Sequence, residues 1–212
     1  MQRVIGSSIA ELEPGWLADE LASYPEVMLD VGTGTGVFVL DAAKGNPRRL
    51  VVGLDPVAEN MAKNARRALS KKSRLPNAMF LRGSAEELPG AFAGAVDFLT
   101  VNYPWGSLLR IVSVPEPELL LGLRRTCKRG AKISILLNYT VFEDADYLER
   151  LNLAVASELA TSPHFEKAYL ACGIRIENRE VFAGDPPVRT GWGRQLVRGS
   201  QRKTLIIEAL AV

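Results

Sequence analysis

A glycine-rich turn between an apolar strand and a helix is the feature that most constrains the fold of this chain. The run Asp30-Val31-Gly32-Thr33-Gly34-Thr35-Gly36 begins in an apolar segment, 27–31, and leads into a helical pattern, 37–44. Glycines permit positive φ angles and allow a backbone to approach a ligand without a Cβ in the way. A strand, such a turn and a helix in this order predict a nucleotide-binding loop.

Strand and helix patterns alternate along most of the chain. The predicted strands are 27–31, 50–54, 78–81, 96–101, 133–137, 174–176 and 204–207. The predicted helices are 14–22, 37–44, 56–72, 118–127, 145–160 and 165–171. This alternation predicts an α/β fold with a doubly wound, mostly parallel seven-stranded sheet and helices on both faces. A glycine- and proline-rich stretch, 184–187, separates the last two strands, so we expect an antiparallel C-terminal strand.

Composition bounds the class of protein. The chain has 212 residues, 47% of them apolar and 24% charged, which fits one globular α/β domain. The N-terminus has no apolar signal-peptide core and no apolar run could span a bilayer, so we expect a cytoplasmic protein. Cys127 and Cys172 are isolated and predict free thiols, and His164 is the only histidine, so we expect no metal site.

Positive charge is concentrated in two segments. Residues 60–85 contain seven basic residues and no acid, and residues 186–207 contain five more, again without an acid. The rest of the chain is therefore strongly acidic, although the formal net charge is only +2. A solvated surface ordinarily intersperses both signs, so this separation favours a polyanionic partner.

Two acidic residues near the glycine-rich turn are candidates for holding a nucleoside. Asp55 ends the second predicted strand, about 20 residues after the turn, where a carboxylate can accept from both ribose hydroxyls. Ala85 and Glu86 follow the third strand, where loop amides and an acid can take an adenine edge. The G-x-G-x-G spacing makes a dinucleotide the poorer candidate.

The fourth strand runs into the segment Asn102-Tyr103-Pro104-Trp105-Gly106-Ser107. Ligands of open α/β sheets lie beyond the carboxyl ends of the strands, so Trp105 is expected near the reacting group. Trp192 lies among arginines in the second basic segment. Aromatic and arginine side chains together suit a flipped-out base and its flanking phosphates, although either tryptophan could instead be a core residue.

The glycine-rich turn, Asp55 and the turn after the third strand together resemble the cofactor site of class I S-adenosylmethionine-dependent methyltransferases, which have a Rossmann-like fold. The runs 53–60, 85–89 and 104–109 are, in combination, similar to the aminoglycoside-resistance 16S rRNA (adenine(1408)-N(1))-methyltransferases. The resemblance implies that Trp105 and Trp192 sandwich a flipped adenosine of the decoding site in the 30S subunit. It also implies that Ser107 lies beside the methionine end of the cofactor.

The resemblance and the sequence patterns together predict three sets of site residues. The catalytic set is Trp105, Trp192 and Ser107. The residues expected to bind S-adenosyl-L-methionine are Asp30, Gly32, Thr33, Gly34, Gly36, Asp55, Pro56, Ala85, Glu86, Asn102 and Ser107. The residues expected to bind 16S rRNA are Lys63, Arg66, Arg67, Lys71, Lys72, Arg194, Arg198 and Arg202.

A helical face supports the expected RNA contact independently. Residues 63, 66, 67, 70 and 74 fall on one face of the predicted helix 56–72 and its extension, while small and apolar residues form the opposite face.

We further expect one domain spanning 1–212, with an N-terminal extension at 1–25 and substrate-side insertions at 140–170 and 183–203. The protein is expected to act as a monomer.

Adenine N1 has an in-plane lone pair and no proton, so it can attack a sulfonium methyl without a general base. Catalysis by orientation therefore suits a site without histidine.

Three alternative functions stay open on the sequence. Asn102-Tyr103-Pro104-Trp105 is one residue from the signature of N6-adenine methyltransferases; a small-molecule methyltransferase would leave the basic segments unexplained; and a weakly active or non-enzymatic homologue could bind cofactor or RNA alone.

Overall fold

The computed structural model describes residues 1–88, 90–114, 117–143, 145–150, 162–185, 187–188, 190 and 203–212. Its strands are β1 (Gln2–Ile5), β2 (Ser8–Glu11), β3 (Glu26–Val31), β4 (Arg49–Asp55), β5 (Ala78–Arg82), β6 (Val96–Asn102), β7 (Cys127–Asn138), β8 (Ile174–Ala183) and β9 (Lys203–Ala211). Its helices are α1 (Trp16–Ala22), α2 (Val37–Gly45), α3 (Ala58–Leu69), α4 (Gly106–Ser113), α5 (Pro117–Thr126), α6 (Ala145–Arg150) and α7 (Pro163–Ala171). Short 3-10 turns lie at Gly90–Phe92 and Tyr139–Glu143.

All nine strands form one mixed sheet, in the order β2-β1-β5-β4-β3-β6-β7-β9-β8. Strands β3 to β7 pair in parallel, whereas β9 pairs antiparallel with both β7 and β8. The direction of winding reverses at β3, which has β4 on one side and β6 on the other. In open α/β sheets the ligand crevice lies at this reversal, beyond the carboxyl ends of the strands.

Two apolar clusters hold helices against the two faces of the sheet. On one face, buried side chains of α2 and α3, among them Val39 and Met61, pack against Met28 and Phe80 of the strands. On the other face, α1, α4, α5 and α7 cover a larger cluster. Because α2 and α3 pack through one side only, the opposite side of α3 is left to solvent.

The predicted fold class is confirmed, with differences in detail. The expected seven strands are too few: the sheet has nine, because the hairpin β1–β2 extends it beyond β5. The predicted helix 56–72 is too long, since α3 ends at Leu69 and Ser70 to Arg74 form a turn with hydrogen bonds back to Ser70. Helix α4 was not predicted. The expected helix 145–160 is seen only as α6, because 151–161 lie outside the described residues.

Candidate active site

A cavity of about 450 Å³ opens at the carboxyl ends of β3 to β6, where the sheet topology predicts a ligand site. Its walls come from the glycine-rich turn, the start of α3, the turn after β5 and the segment between β6 and α4. The lining residues are Val31, Gly32, Gly34, Asp55, Pro56, Asn60, Gly83, Ser84, Ala85, Glu86, Tyr103, Pro104, Trp105, Ser107 and Leu108.

The glycine-rich turn is held against β4 by its own amides. The N–H groups of Gly32 and Thr33 donate to the carbonyl of Leu54, at 2.8 and 3.0 Å. Gly36 has a φ of +70°, and a Cβ there would lie 2.3 Å from the ring of Phe80. Both backbone conformation and space require a glycine here, so the turn can pack closely against the Phe80 ring of β5.

Asp55 is the last residue of β4 and lines the cavity. Each of its carboxylate oxygens accepts one hydrogen bond from a backbone amide. Oδ2 accepts from the N–H of Gly34 at 2.8 Å and Oδ1 accepts from the N–H of Val57 at 2.9 Å. Burial raises the pKa of this carboxyl, while the two amide hydrogen bonds oppose the rise. A carboxylate oxygen has two lone pairs, so each oxygen of Asp55 can accept one further hydroxyl.

Glu86, in the turn after β5, and Ser107, in the first turn of α4, lie close to each other in the cavity lining. A hydrogen bond from the Ser107 hydroxyl is the main reason that the pKa of Glu86 lies below its usual value, and Ser84 adds to this effect. Glu86 is exposed and remains available as an anionic acceptor. Glu86 is predicted to lie beside the adenine of the cofactor and Ser107 beside its methionine end. The hydrogen bond makes these two residues neighbours in the cavity lining.

Asp30 and Asn102 lie beneath the cavity and are not among its lining residues. Asp30 is 1% exposed, and its Oδ1 accepts from Thr100 Oγ1 and from Asn102 Nδ2, both at 2.8 Å. Burial raises the pKa of Asp30 to about 6. Thr33 and Gly36, also predicted to bind the cofactor, do not line the cavity either. These four residues shape the turn and the strand ends on which the cavity is built.

Trp105 stands at the mouth of the cavity, 37% exposed, as the residue immediately before α4. Tyr103, two residues earlier, is buried and has a φ of +51°. An exposed indole at a cavity rim offers a flat apolar surface for a planar ligand.

The outer side of α3 carries the predicted RNA-binding residues Lys63, Arg66 and Arg67, all of them exposed. Lys71 and Lys72 are also exposed, but they lie in the turn after the helix. Within the described part of the chain, none of these five cations forms an ion pair with an acid.

Helix α3 contacts the glycine-rich turn and the cavity on one side and solvent on the other. Asn64, buried on its inner side, donates from Nδ2 to the carbonyl of Thr35 in the glycine-rich turn at 2.7 Å. Asn60, one turn earlier on the same helix, lines the cavity. The glycine-rich turn and the exposed cations are thus on opposite sides of the same helix.

Trp192, Arg194, Arg198 and Arg202 lie outside the described residues. Conversely, the sequence patterns did not single out Asn60, Gly83, Ser84, Tyr103 and Leu108, which line the cavity. Asn60 could have been found, because it lies five residues after Asp55 in the first turns of a helix that begins at the site.

The described residues contain no group of three or more histidine, cysteine, aspartate or glutamate side chains placed to hold a metal ion. In the same part of the chain, no helix combines the length and the apolar character needed to cross a membrane.

Comparisons with known proteins agree with this geometry. The chain is 40% identical over 203 residues to a 16S rRNA (adenine(1408)-N(1))-methyltransferase of Streptoalloteichus tenebrarius, covering 92% of each protein. The crystal structure of the aminoglycoside resistance methyltransferase NpmB1 matches with a TM-score of 0.85 and 34% identity, over 100% of this chain and 99% of that one.

A tryptophan-to-alanine mutant of the 16S rRNA (adenine(1408)-N(1))-methyltransferase from Catenulisporales acidiphilia, solved with cosubstrate SAM, matches with a TM-score of 0.84 and 27% identity, over 100% of this chain and 97% of that one. The family model described as NpmA, 16S rRNA (adenine(1408)-N(1))-methyltransferase, matches residues 2–211. This chain therefore belongs to the 16S rRNA (adenine(1408)-N(1))-methyltransferase family.

Proposed function

We propose that this protein transfers a methyl group from S-adenosylmethionine to N1 of adenosine 1408 in 16S rRNA and thereby gives aminoglycoside resistance. The observation that carries the proposal is the lining of one cavity. It combines Asp55, a carboxylate suited to ribose hydroxyls, the turn at 85–86, suited to an adenine edge, and the exposed Trp105, and it lies next to the basic side of α3. Family membership supports the same reaction.

The cavity residues fit S-adenosylmethionine. Asp55 has a free acceptor position on each oxygen for the two ribose hydroxyls, and Ala85 and Glu86 form the turn expected to face adenine. The backbone of Gly32 and Gly34 borders the remaining wall, where the methionine part would lie. The bound cofactor supplies an electrophilic methyl group on a sulfonium.

Trp105 is the residue that would hold the target base at the cavity mouth, and Trp192 is proposed as its second aromatic face. Stacking on Trp105 would bring the in-plane lone pair of N1 in line with the methyl group, and no proton has to be removed from N1 first. The rate enhancement then comes from orientation, for which effective molarities are large. Flipping the adenosine out of its helix costs a few kcal/mol, which stacking and phosphate contacts offset.

The basic surface of α3 and the turn that follows it would dock the enzyme on rRNA, through Lys63, Arg66, Arg67, Lys71 and Lys72. Arg194, Arg198 and Arg202 are proposed to add contacts from the second basic segment. We propose that the substrate is the assembled 30S subunit in the cytoplasm and that the enzyme acts as a monomer, without a metal ion.

The proposed domain plan is one methyltransferase domain over 1–212, with an extension at 1–25. The segments 140–170 and 183–203 are proposed as substrate-side insertions. Strands β7 and β8 run in the same direction, and their carboxyl ends lead into these two segments. Both segments therefore begin at the edge of the sheet that carries the cavity.

The position of Asn102 favours N1 over N6 as the methylated atom. In N6-adenine chemistry the asparagine of the signature accepts a hydrogen bond from the amino group that is methylated. Here Asn102 is 7% exposed, is absent from the cavity lining and donates to the buried Asp30.

The test is methyl transfer from labelled S-adenosylmethionine to isolated 30S subunits, with reverse-transcription mapping of the modified base. We expect a single stop at adenosine 1408 and N1-methyladenosine in the nucleoside digest. Trp105→Ala and Trp192→Ala should each lower transfer about 5- to 150-fold while cofactor affinity stays within about twofold, since stacking one base contributes about 1–3 kcal/mol. No incorporation into 30S subunits would refute the proposed reaction, and an N6-methyl product would refute its regiochemistry.

A further inference from the structure

Tyr103 adopts a backbone conformation that its sequence context disfavours twice. Its φ of +51° lies in the left-handed region, which costs a residue with a Cβ on the order of 1 to 2 kcal/mol. It also precedes Pro104, and the residue before a proline ordinarily adopts an extended conformation. Such a conformation persists only where the surrounding structure enforces it.

Two contacts enforce it from neighbouring strands. The backbone N–H of Tyr103 donates to the carbonyl of Leu136 in β7 at 2.8 Å. The phenol oxygen lies 3.1 Å from Thr204 Oγ1, and both hydroxyls are buried. Thr204 is the second residue of β9 and pairs with Asn138, the last residue of β7.

The location of Tyr103 makes its conformation matter for the reaction. It lines the cavity and joins two parts of the site, Asn102, which is bonded to Asp30 below, and Trp105, which stands at the mouth. The direction in which the chain leaves Tyr103 sets where Pro104 and Trp105 lie. The hydroxyl itself is bonded away from the cavity to β9, so it contributes to the position of the loop and not to the chemistry.

We propose that the hydrogen bond between Tyr103 and Thr204 fixes the left-handed turn that positions Trp105 for the target adenosine, which makes both residues positioning residues of methyl transfer. The inference rests on the proposed function and adds β9, through a buried side-chain contact, to the parts of the chain that shape the target site.

The test compares Tyr103→Phe, Thr204→Val and the double variant with the parent protein. Each single variant leaves one hydroxyl buried without its partner, so both should unfold at a lower urea concentration. The double variant removes both hydroxyls and should recover most of that stability, because replacing both partners with apolar groups is nearly neutral.

Activity should behave differently from stability. We expect kcat for methyl transfer to 30S subunits to fall about 3- to 10-fold in both single variants, the change that corresponds to losing one net hydrogen bond. The double variant should stay as low as the singles, since the side-chain contact with β9 is lost in all three while the backbone bond to Leu136 remains. The affinity for S-adenosylmethionine, measured by calorimetry, should stay within about twofold. Thr204→Ser keeps a hydroxyl at the same position, so this variant should have a kcat close to the parent value.

Recovery of kcat together with stability in the double variant would overturn the proposal, because it would make the hydrogen bond a fold contact only. Unchanged kcat in Tyr103→Phe would overturn it as well. A parent protein that transfers no methyl to 30S subunits would instead refute the proposed function, and with it any role of Tyr103 in that reaction. These results are distinguishable because the first two require an active parent protein.

Discussion

Asp30 is a carboxyl in the buried layer under the cavity, and burial raises its pKa from 3.8 to about 6. A folded protein that holds this proton more tightly than the unfolded chain loses stability as pH rises from about 4 to above 6. Two pKa units correspond to on the order of 3 kcal/mol.

The prediction for Asp30→Asn is a change in how the free energy of unfolding depends on pH. The amide oxygen can still accept from Thr100 and Asn102, but the group no longer ionises. Relative to the parent, the variant should therefore gain up to about 3 kcal/mol between pH 4 and pH 7.5. Urea unfolding of both proteins across this range measures it, and a difference that is constant with pH would contradict the buried, protonatable state.

Arg74 is the second non-glycine residue with a positive φ, +39°, and it is exposed in the turn after α3. Arg74→Gly should raise the free energy of unfolding by about 0.5–1 kcal/mol, because glycine accepts this conformation without steric cost while its unfolded chain is more flexible. The same substitution should weaken binding to 30S subunits, since it removes a positive charge from the turn that also contains Lys71 and Lys72.

Arg74→Ala is the matched control, because it removes the charge but keeps the Cβ. It should weaken 30S binding equally without gaining stability. Thermal unfolding and filter binding report the two quantities separately, and equal stability of the two variants would show that the backbone is not strained.

The position of Asp55 and Glu86 in the cavity lining could be predicted from the sequence, because each residue follows a recognisable strand at a fixed place in this topology. Tyr103 could not be singled out in the same way. Its left-handed φ depends on Leu136 and Thr204, which are far away in sequence, and no local pattern encodes it. Likewise Asp30 and Asn102 were expected at the cofactor, but hydrogen bonding between them holds both side chains below the cavity surface.

At the scale of elements, α3 is the clearest link between sequence pattern and proposed function. Its inner side packs against the sheet and donates a hydrogen bond to the glycine-rich turn. Its outer side carries exposed cations that form no ion pair with any acid in the described part of the chain. Replacing Lys63 and Arg67 together by glutamine should weaken 30S binding at moderate salt. The slope of log affinity against log salt should become shallower by roughly one to two, because each phosphate contact contributes about 0.7 to 0.9.

Arg129→Gln is the control for charge alone, since Arg129 is exposed in the first half of β7, away from the carboxyl end of that strand. It should leave the salt slope unchanged. The affinity of all variants for S-adenosylmethionine should also be unchanged. A parallel loss in the Arg129 variant would mean that net charge, and not the surface of α3, governs binding.

Most elements were predictable from apolar periodicity, and the exceptions have physical reasons. The hairpin β1–β2 was missed because all four residues of β2 are exposed, so the strand has no buried alternation. Helix α4 was missed because its first residues, Gly106 and Ser107, directly follow Trp105 in the segment that was interpreted only as part of the target site. The predicted helix extended beyond Leu69 because Ser70 to Lys72 continue the polar side of the helical pattern. In the structure, hydrogen bonds to the Ser70 carbonyl close a turn at this point instead.

At the scale of the whole molecule, the cavity draws its walls from four strand ends and the starts of two helices, so binding should stabilise the entire fold. S-adenosylmethionine at about 100 times its Kd should raise the free energy of unfolding by about 2.7 kcal/mol. For a chain of this length that corresponds to a rise in Tm of roughly 5–10 °C. A thermal scan measures it, with NAD as the control ligand that should give no rise. An equal rise with NAD would contradict the assignment of the glycine-rich turn.

The position of β9 between β7 and β8 has a consequence for how the molecule is made. Strand β8 has no neighbour other than β9 within the described sheet, and β7 lacks its second neighbour until β9 arrives. During synthesis both strands therefore leave the ribosome with open edges, which are liable to pair wrongly. Insertion of β9 closes both edges in one event and brings Thr204 to Tyr103, so a nascent chain should acquire its target site only when β9 is in place.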